Sequence, residues 1–365
     1  MGNKRIAFTL CSNNYLAQAK TLGDSLLKNN PDYLFFIGLV DKFNPEIDYT
    51  IFKPYQVIEI ESIKIPDFNN LINKYNIVEL NTAVKPFFFL YLLNRYPDCD
   101  QVIYFDPDIL VTHRLTSIEE ALTSSNVLLT PHILSPIGVD DLSHGEDLFL
   151  KYGIYNLGFI GIRRTDESVR FLDWWKDRTF HLGFSNSDAG TFVDQKWINL
   201  VPLLFEGISI SRHVGLNAAF WNLHERTISE RNGVFFINKT TELVFYHFSQ
   251  FNPNKNDIAS NHNRYSFENR PDTIPLFRLY REKLLANRYN YFKAFSCHYV
   301  AILQEIKKNR FMEKVKQRDK KMRFSWLIKL IYRWVSTSTV LIMKAYLDYL
   351  LDLKTLFANT KAEQK

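Results

Sequence analysis

Apolar residues in the first part of the chain recur with two periods. Residues 4–10 read as a strand, and residues 15–29 as a helix, because Leu16, Ala19, Leu22 and Leu26 fall on one helical face. Asn13 or Asn14 is placed to cap that helix. Residues 34–40 form an unbroken apolar run, expected to be a buried strand, and residues 55–60 a third strand. Further on, Thr82 is placed to cap a helix spanning residues 85–95, with Phe87, Phe88, Phe89, Leu90, Leu92 and Leu93 on its buried side. Pro97-Asp98 then turns the chain into an apolar strand at residues 101–105. Strands alternating with helices imply an α/β fold built on a parallel sheet.

Composition agrees with a folded globule. The 365 residues include 30 Phe and 19 Tyr, far from the signature of disorder. That length suggests one large domain plus an appendage. Cys11, Cys99 and Cys297 are too few and too scattered for a disulfide framework or a zinc cluster, which favours a reducing compartment. The amino terminus leads straight into a strand, without the apolar core of a signal peptide, and Ile6 stands where myristoylation wants Ser or Thr. The expected location is the cytoplasm.

Charge divides the chain. The total is +6, yet from Pro275 onward there are 20 basic and 7 acidic residues, or +13, against −7 for the rest. Residues 291–323 read as a basic helix containing Lys307 and Lys308. Residues 324–351 are strongly apolar, but Lys329, Arg333, Lys344 and Asp348 interrupt every run long enough to span a bilayer. Basic and aromatic residues on amphipathic helices suit an anionic membrane surface, here the inner face of the cytoplasmic membrane. The competing expectation is a homo-oligomer or core-packing segment. Nucleic acid is not expected, because the body carries no recognisable binding module.

Candidate chemistry centres on Asp106-Pro-Asp108. A strand ending at Phe105 would present both carboxylates at the carboxyl edge of the sheet, where open α/β folds bind ligands. Two hard oxygen ligands there suit Mg²⁺ or Mn²⁺ bridging a diphosphate. Lys85, in the first turn of its helix, could point into the same cleft or be a solvated lysine.

Five segments, in order, carry a resemblance. They are Thr9, Asn13 and Tyr15 with Leu22-Gly-Asp-Ser-Leu26; Lys85 ahead of Tyr104-Phe-Asp-Pro-Asp-Ile-Leu-Val111; Tyr155-Asn-Leu-Gly-Phe-Ile-Gly-Ile162; Val193-Asp-Gln-Lys-Trp-Ile-Asn199; and Phe245-Tyr-His-Phe248. The chain over residues 4–250 resembles the GT-A glycosyltransferases of family 8, which includes glycogenin and bacterial lipopolysaccharide galactosyl- and glucosyltransferases. The resemblance implies a GT-A catalytic domain over 1–255, Rossmann-like with a mostly parallel sheet flanked by helices. A connecting region over 256–290 and the basic helical tail over 291–365 would follow.

The resemblance further implies transfer of a sugar, with retention, from a nucleotide sugar, expected to be UDP-linked, to a cell-surface glycan or lipid-linked acceptor. Asp106, Asp108 and His247 would hold Mn²⁺ or Mg²⁺. Thr9, Asn13, Tyr15, Lys85, Asn156 and Gly158 would join the two acids in binding the donor. Asp194 and Gln195 would stand at the reaction centre, although Asp194 could equally cap a helix over 195–200. Within residues 213–222, Trp221 and Asn222 are the expected acceptor-binding residues. The loop 135–146, with Asp140, Asp141 and His144, reads as a lid or a solvated connection.

One departure is plain. After His247 the family usually continues to a Lys-Pro-Trp motif, whereas this chain has Ser249-Gln-Phe-Asn-Pro253, leaving Lys255 or Arg264 to replace the phosphate-binding lysine. Two other functions fit parts of the pattern. A haloacid dehalogenase-like phosphatase also places Asp-x-Asp after a buried strand, but it wants Thr or Val where Leu110 stands. A non-catalytic glycan- or membrane-binding scaffold would tolerate loss of the metal ligands.

Overall fold

The computed structural model describes residues 4–260 and 262–319. The first expected strand is β1 (Lys4–Cys11), and Ile6, Ala7 and Phe8 are fully buried, as in a strand covered on both faces. Helix α1 (Leu16–Asn29) returns the chain to β2 (Tyr33–Leu39), and a crossover leads to β3 (Gln56–Glu59). Three helices, α2 (Phe68–Lys74), α3 (Ile77–Ala83) and α4 (Lys85–Arg95), precede β4 (Cys99–Phe105) and β5 (Ile109–Val111). Then come α5 (Thr116–Ser124), β6 (Val127–Pro131), α6 (Glu146–Tyr152), β7 (Tyr155–Arg163) and α7 (Asp166–Leu182). A small hairpin of β8 (Ser185–Asn186) and β9 (Thr191–Phe192) is followed by α8 (Val201–Leu204), β10 (Ile208–Ile210) and β11 (Ala218–Ala219). Strands β12 (Ile228–Arg231), β13 (Val234–Ile237) and β14 (Thr241–Glu242) form a meander ahead of β15 (Phe245–His247). The described chain closes with α9 (Ile274–Ala286), α10 (Tyr289–Lys293) and α11 (His298–Asp319).

Seven strands form the central sheet in the order β10-β6-β7-β4-β1-β2-β3. All neighbours are parallel except β7, which runs antiparallel to both β4 and β6. The fold is thus mixed α/β, with a mostly parallel sheet flanked by helices. Strand order reverses between β1 and β4, which opens a crevice at their carboxyl ends, the usual ligand site of such sheets. Asp106 and Asp108 lie at the end of β4, and Asn13 just past the end of β1.

The helical face read from the sequence is the buried one. Leu16, Ala19, Leu22 and Leu26 are fully buried, each leucine worth about 1.5–3 kcal/mol over an exposed one. On α4, Phe88, Phe89, Leu92 and Leu93 are buried, with Phe88 and Phe89 packed on Phe8 of β1.

Both expected caps are corrected. Helix α1 begins after Tyr15 with no side-chain cap. Asn13 instead donates from Nδ2 to the Lys42 carbonyl at 2.9 Å and accepts the Tyr49 hydroxyl at 2.6 Å, because the loop after β2 offers it closer partners. Thr82 lies within α3 rather than ahead of α4, where its hydroxyl donates back to the Val78 carbonyl at 3.0 Å. Asn76 and Glu79 cap that preceding helix with a reciprocal capping box.

The core takes in residues on both sides of positions 255 and 290, and one compact unit runs from Met1 to Ala301. Leu276, Phe277, Tyr280, Leu284 and Phe292 are buried in the same hydrophobic cluster as α1. Asn287 donates to Thr21 Oγ1 at 2.9 Å and to Asp24 Oδ2 at 3.1 Å, fixing the end of α9 to α1. The second unit begins at Ile302. The apolar segment expected at 324–351, with its membrane or oligomer role, lies outside the described residues, as does the end of the basic cluster. Among the described residues, no helix is long and apolar enough to cross a membrane.

Candidate functional site

Strand pairing builds the metal-ligand cluster. Strands β15 and β5 run antiparallel with His247 opposite Ile109, so the imidazole stands beside the residue that follows Asp108. The Phe248 N–H donates to the Asp108 carbonyl at 2.9 Å and locks this register. On the other side, the Asp106 N–H donates to the Gly158 carbonyl of β7 at 2.7 Å. One ligand atom from each of Asp106, Asp108 and His247 lies within 4.8 Å of the others. His247 Nε2 is 3.1 Å from Asp108 Oδ1 and 3.7 Å from Asp106 Oδ2.

A chain of buried amides and imidazoles orients His247. Its Nδ1 lies 3.2 Å from Asn156 Oδ1, which also accepts the Gly158 N–H at 3.1 Å. Asn156 Nδ2 in turn lies 3.3 Å from His132 Nε2, and His132 Nδ1 is 3.3 Å from the Ile154 carbonyl. Carbonyl oxygens only accept, so each imidazole carries its hydrogen on Nδ1. That leaves the His247 Nε2 lone pair facing the two carboxylates, the arrangement a metal-binding histidine needs. Two hard oxygens with one such nitrogen fit a divalent cation of the Mn²⁺ or Mg²⁺ kind.

Electrostatics follow from burial and neighbours. Burial pushes His132 down to about 4, so it stays neutral and able to accept from Asn156. For His247 burial opposes the charged form, but Asp108 and Asp106 outweigh it and raise the pKa. Burial raises the Asp106 carboxyl against the attraction of Lys85 and His247. Tyr104 donates its hydroxyl to Asp106 Oδ1 at 2.5 Å.

Gly158 serves this geometry by what it lacks. A Cβ there would sit 2.4 Å from His247 Cε1 and 2.7 Å from its Nδ1, so only glycine lets the ring lie against β7.

Lys85 does not contact the metal ligands directly. It is 1% exposed, pairs with Asp194 Oδ2 at 2.6 Å, donates to the Leu157 carbonyl at 2.9 Å and lies 4.1 Å above the Tyr104 ring. Asp194 is equally buried and caps no helix: the turn over Lys196–Leu200 has Gln195 at its cap position. The residue before it, Val193, has φ +40°, a left-handed conformation that costs a β-branched residue about 1–3 kcal/mol. Gln195 is fixed at both ends, accepting the Leu157 N–H at 3.1 Å and donating to the Tyr152 carbonyl at 3.2 Å.

The remaining expected residues divide into engaged and open. Asn222 spends its amide on Ala219, His132 and Asn217 backbone groups. Trp221 stands edge-on to His247, 5.2 Å between ring centres, and its Nε1 has no partner among the described residues. The Thr9 hydroxyl is likewise buried and unpartnered among them. Tyr15 is exposed at the rim of a cavity of about 230 Å³ lined also by Asp108, Phe251, Tyr280, Tyr289 and Lys293. Burial, Asp108, Tyr289 and Asp106 push its phenol up to about 12.

Of the two cations expected to replace the missing lysine, Arg264 is held by both oxygens of Asp140 at 2.7 and 2.8 Å. That contact and the Ser143–Asn263 bonds also tie down the 135–146 loop. Lys255 lines a different groove. Lys293, which the sequence reading did not single out, lines the cavity with Asp108 and lies 5.0 Å from the Tyr15 ring centre. His132 was also missed. Its one sequence signal is its place just beyond the apolar strand β6.

No family model matches the chain. Two proteins of Bacillus subtilis (strain 168), both described as uncharacterized, are similar in sequence. YfnD is 22% identical over 250 residues, 67% of this chain and 76% of its own, and YfnF is 25% identical over 246 residues, 67% and 80%. Among solved structures, the galactosyltransferase LgtC with donor and acceptor sugar analogs is similar at TM-score 0.44 and 16% identity, covering 77% of this chain and 95% of its own. The glycosyltransferase GlyE of Streptococcus pneumoniae TIGR4 is similar at TM-score 0.43 and 15% identity, covering 79% and 64%.

Proposed function

We propose that the chain is a metal-dependent glycosyltransferase that moves a sugar from a nucleotide sugar, expected to be UDP-linked, to a glycan or lipid-linked acceptor. The observation that carries this reading is the convergence of Asp106, Asp108 and the oriented Nε2 of His247 at the crevice where strand order reverses. A haloacid dehalogenase-like phosphatase or a scaffold has no need of a third, nitrogen ligand held by its own relay.

Asp106, Asp108 and His247 would hold Mn²⁺ or Mg²⁺. Bound there, the cation supplies Lewis acidity to the diphosphate that leaves when the anomeric C–O bond breaks. Lys293 and Tyr15, beside Asp108, suit the phosphates, and Lys293 takes the role of the absent Lys-Pro-Trp lysine. The buried Lys85 contributes a fixed positive charge through Tyr104 towards Asp106, and its pairing with Asp194 holds the strained turn that presents Gln195. Gln195, held by Leu157 and Tyr152, would turn its remaining N–H to the anomeric face of the sugar, and transfer would proceed with retention. Trp221 Nε1, buried and without a partner among the described residues, would donate to an acceptor or sugar hydroxyl.

Donor hydrolysis and transfer across a panel of nucleotide sugars with Mn²⁺ test the reading. Wild-type turnover should fall about a hundredfold or more in Asp108→Asn and His247→Ala. Turnover equal to wild type in both variants overturns the metal assignment. Phosphate release from phosphomonoesters, with no nucleotide-sugar turnover, would favour a phosphatase.

A further inference from the structure

A second groove lies along helix α9, separate from the metal ligands, with a volume of about 270 Å³. Its walls combine three cations, Lys255, Arg278 and Arg281, with Phe251, Phe267 and Phe277, and no acidic residue of the described chain lines it. Arg278 and Arg281 are three residues apart on α9 and share a helix face. Arg264 and Arg270, earlier in the chain, are by contrast paired with Asp140 and Asp272. Lys255, Arg278 and Arg281 have no ion-pair partner among the described residues. Three cations with no such partner among the described residues leave the lining net positive, so the groove favours an anion.

The aromatic side is fixed. Phe277 is buried and meets Phe251 at 5.4 Å between ring centres and Phe267 at 5.3 Å, both edge-on. These packed rings give the anion a rigid apolar neighbour. A free phosphate would use the cations alone, whereas a phosphate joined to an apolar chain also covers the half-buried Phe251 and Phe267. Phe251 also lines the cavity that contains Asp108 and Lys293, so the groove adjoins the candidate metal site through one side chain.

We propose that this groove binds a lipid phosphate, its headgroup on Arg278, Arg281 and Lys255 and its apolar chain along the phenylalanines. Resting on the sugar-transfer reading, the acceptor is a hydroxyl of a glycan carried on this lipid phosphate and brought to the edge of the donor cavity at Phe251: its oxygen bonds to the anomeric carbon as the C–O bond to the diphosphate breaks, and its proton goes to the departing diphosphate. Binding at the groove is independent of metal, which separates the two ideas experimentally.

The test titrates the full chain with dihexanoylphosphatidic acid below its micelle concentration, by calorimetry, against inorganic phosphate and dihexanoylphosphatidylcholine. The phosphatidic acid should bind wild type and Asp108→Asn equally, and about tenfold or more weakly to the double variant Arg278→Gln/Arg281→Gln, because charge-assisted contacts are lost. Inorganic phosphate and the zwitterionic lipid should each bind about tenfold or more weakly than the phosphatidic acid. Equal binding by the double variant, as when other basic residues hold the lipid, overturns the proposal. So does inorganic phosphate binding as tightly as the lipid, or no binding of the lipid at all. Loss of turnover in Asp108→Asn with lipid binding intact supports both ideas; lipid binding without any sugar transfer by wild type would overturn the sugar-transfer reading and with it the acceptor role, while supporting the groove as a lipid-phosphate site.

Discussion

His247 Nδ1 lies 3.2 Å from Asn156 Oδ1, and that single contact decides which nitrogen of the ring is open. Replacing Asn156 by Ala removes the acceptor and frees the ring to rotate or change tautomer. Mn²⁺ affinity should fall about 10- to 100-fold, the usual cost of losing a group that orients a ligand. Calorimetric Mn²⁺ titration of wild type and Asn156→Ala measures it, with circular dichroism confirming the fold. Unaltered affinity would mean that packing alone orients the imidazole.

Gly158→Ala should act on the same ring from the other side. Its Cβ would meet His247 Cε1 at 2.4 Å, so either the ring or β7 must move. Overpacking of this kind costs about 1–3 kcal/mol. Denaturant unfolding should report that loss, and Mn²⁺ titration should report weaker binding. A variant as stable as wild type would show that the ring and β7 can separate without cost.

Lys85 and Asp194 are each about 2% exposed at the side chain and pair at 2.6 Å. Removing one leaves the other buried and uncompensated, at about 3–5 kcal/mol. Lys85→Met and Asp194→Leu should each lose that much in urea unfolding, and the double variant should recover most of it. Single variants within about 1 kcal/mol of wild type would show that water reaches the pair.

His132 links stability to acid. Its folded pKa is pushed down to about 4, below the roughly 6.5 of an unfolded histidine, so the unfolded state binds a proton first. The neutral ring's contribution is fully present above about pH 6.5 and is lost as pH falls towards 4, by about 3 kcal/mol. Unfolding free energies of wild type and His132→Gln, measured from pH 7 to 4, should converge by that amount. Parallel curves would mean that His132 titrates normally.

Metal should stabilise the folded chain. Mn²⁺ at a hundred times its dissociation constant should add about 2.7 kcal/mol, seen as a rise in Tm that chelation reverses. Asp108→Asn should show no such rise. An identical rise in that variant would locate the metal elsewhere.

Short-range features of this fold were open to sequence reading because they depend on periodicity. The buried face of α1 and the apolar strand ahead of Asp106 follow from spacing alone. The caps did not follow, since Asn13 and Thr82 each had several legal partners, and tertiary contacts chose among them. Asp106, Asp108 and His247 were named from the order of motifs, and the β5–β15 pairing brings them together. The Lys85–Asp194 pair, Lys293 and His132 lay beyond that reading, because each depends on which distant segment folds against it. A lysine in a helix looks solvated until the acid that buries it is known.

The antiparallel pairing of β5 and β15 has a consequence for biosynthesis. The two carboxylates leave the ribosome well before the imidazole, and the relay that orients it spans β6, β7 and β15. A nascent or truncated chain therefore displays an acidic turn with little power to select a cation. Selectivity arrives only when β15 docks against β5, so metal occupancy would report that docking.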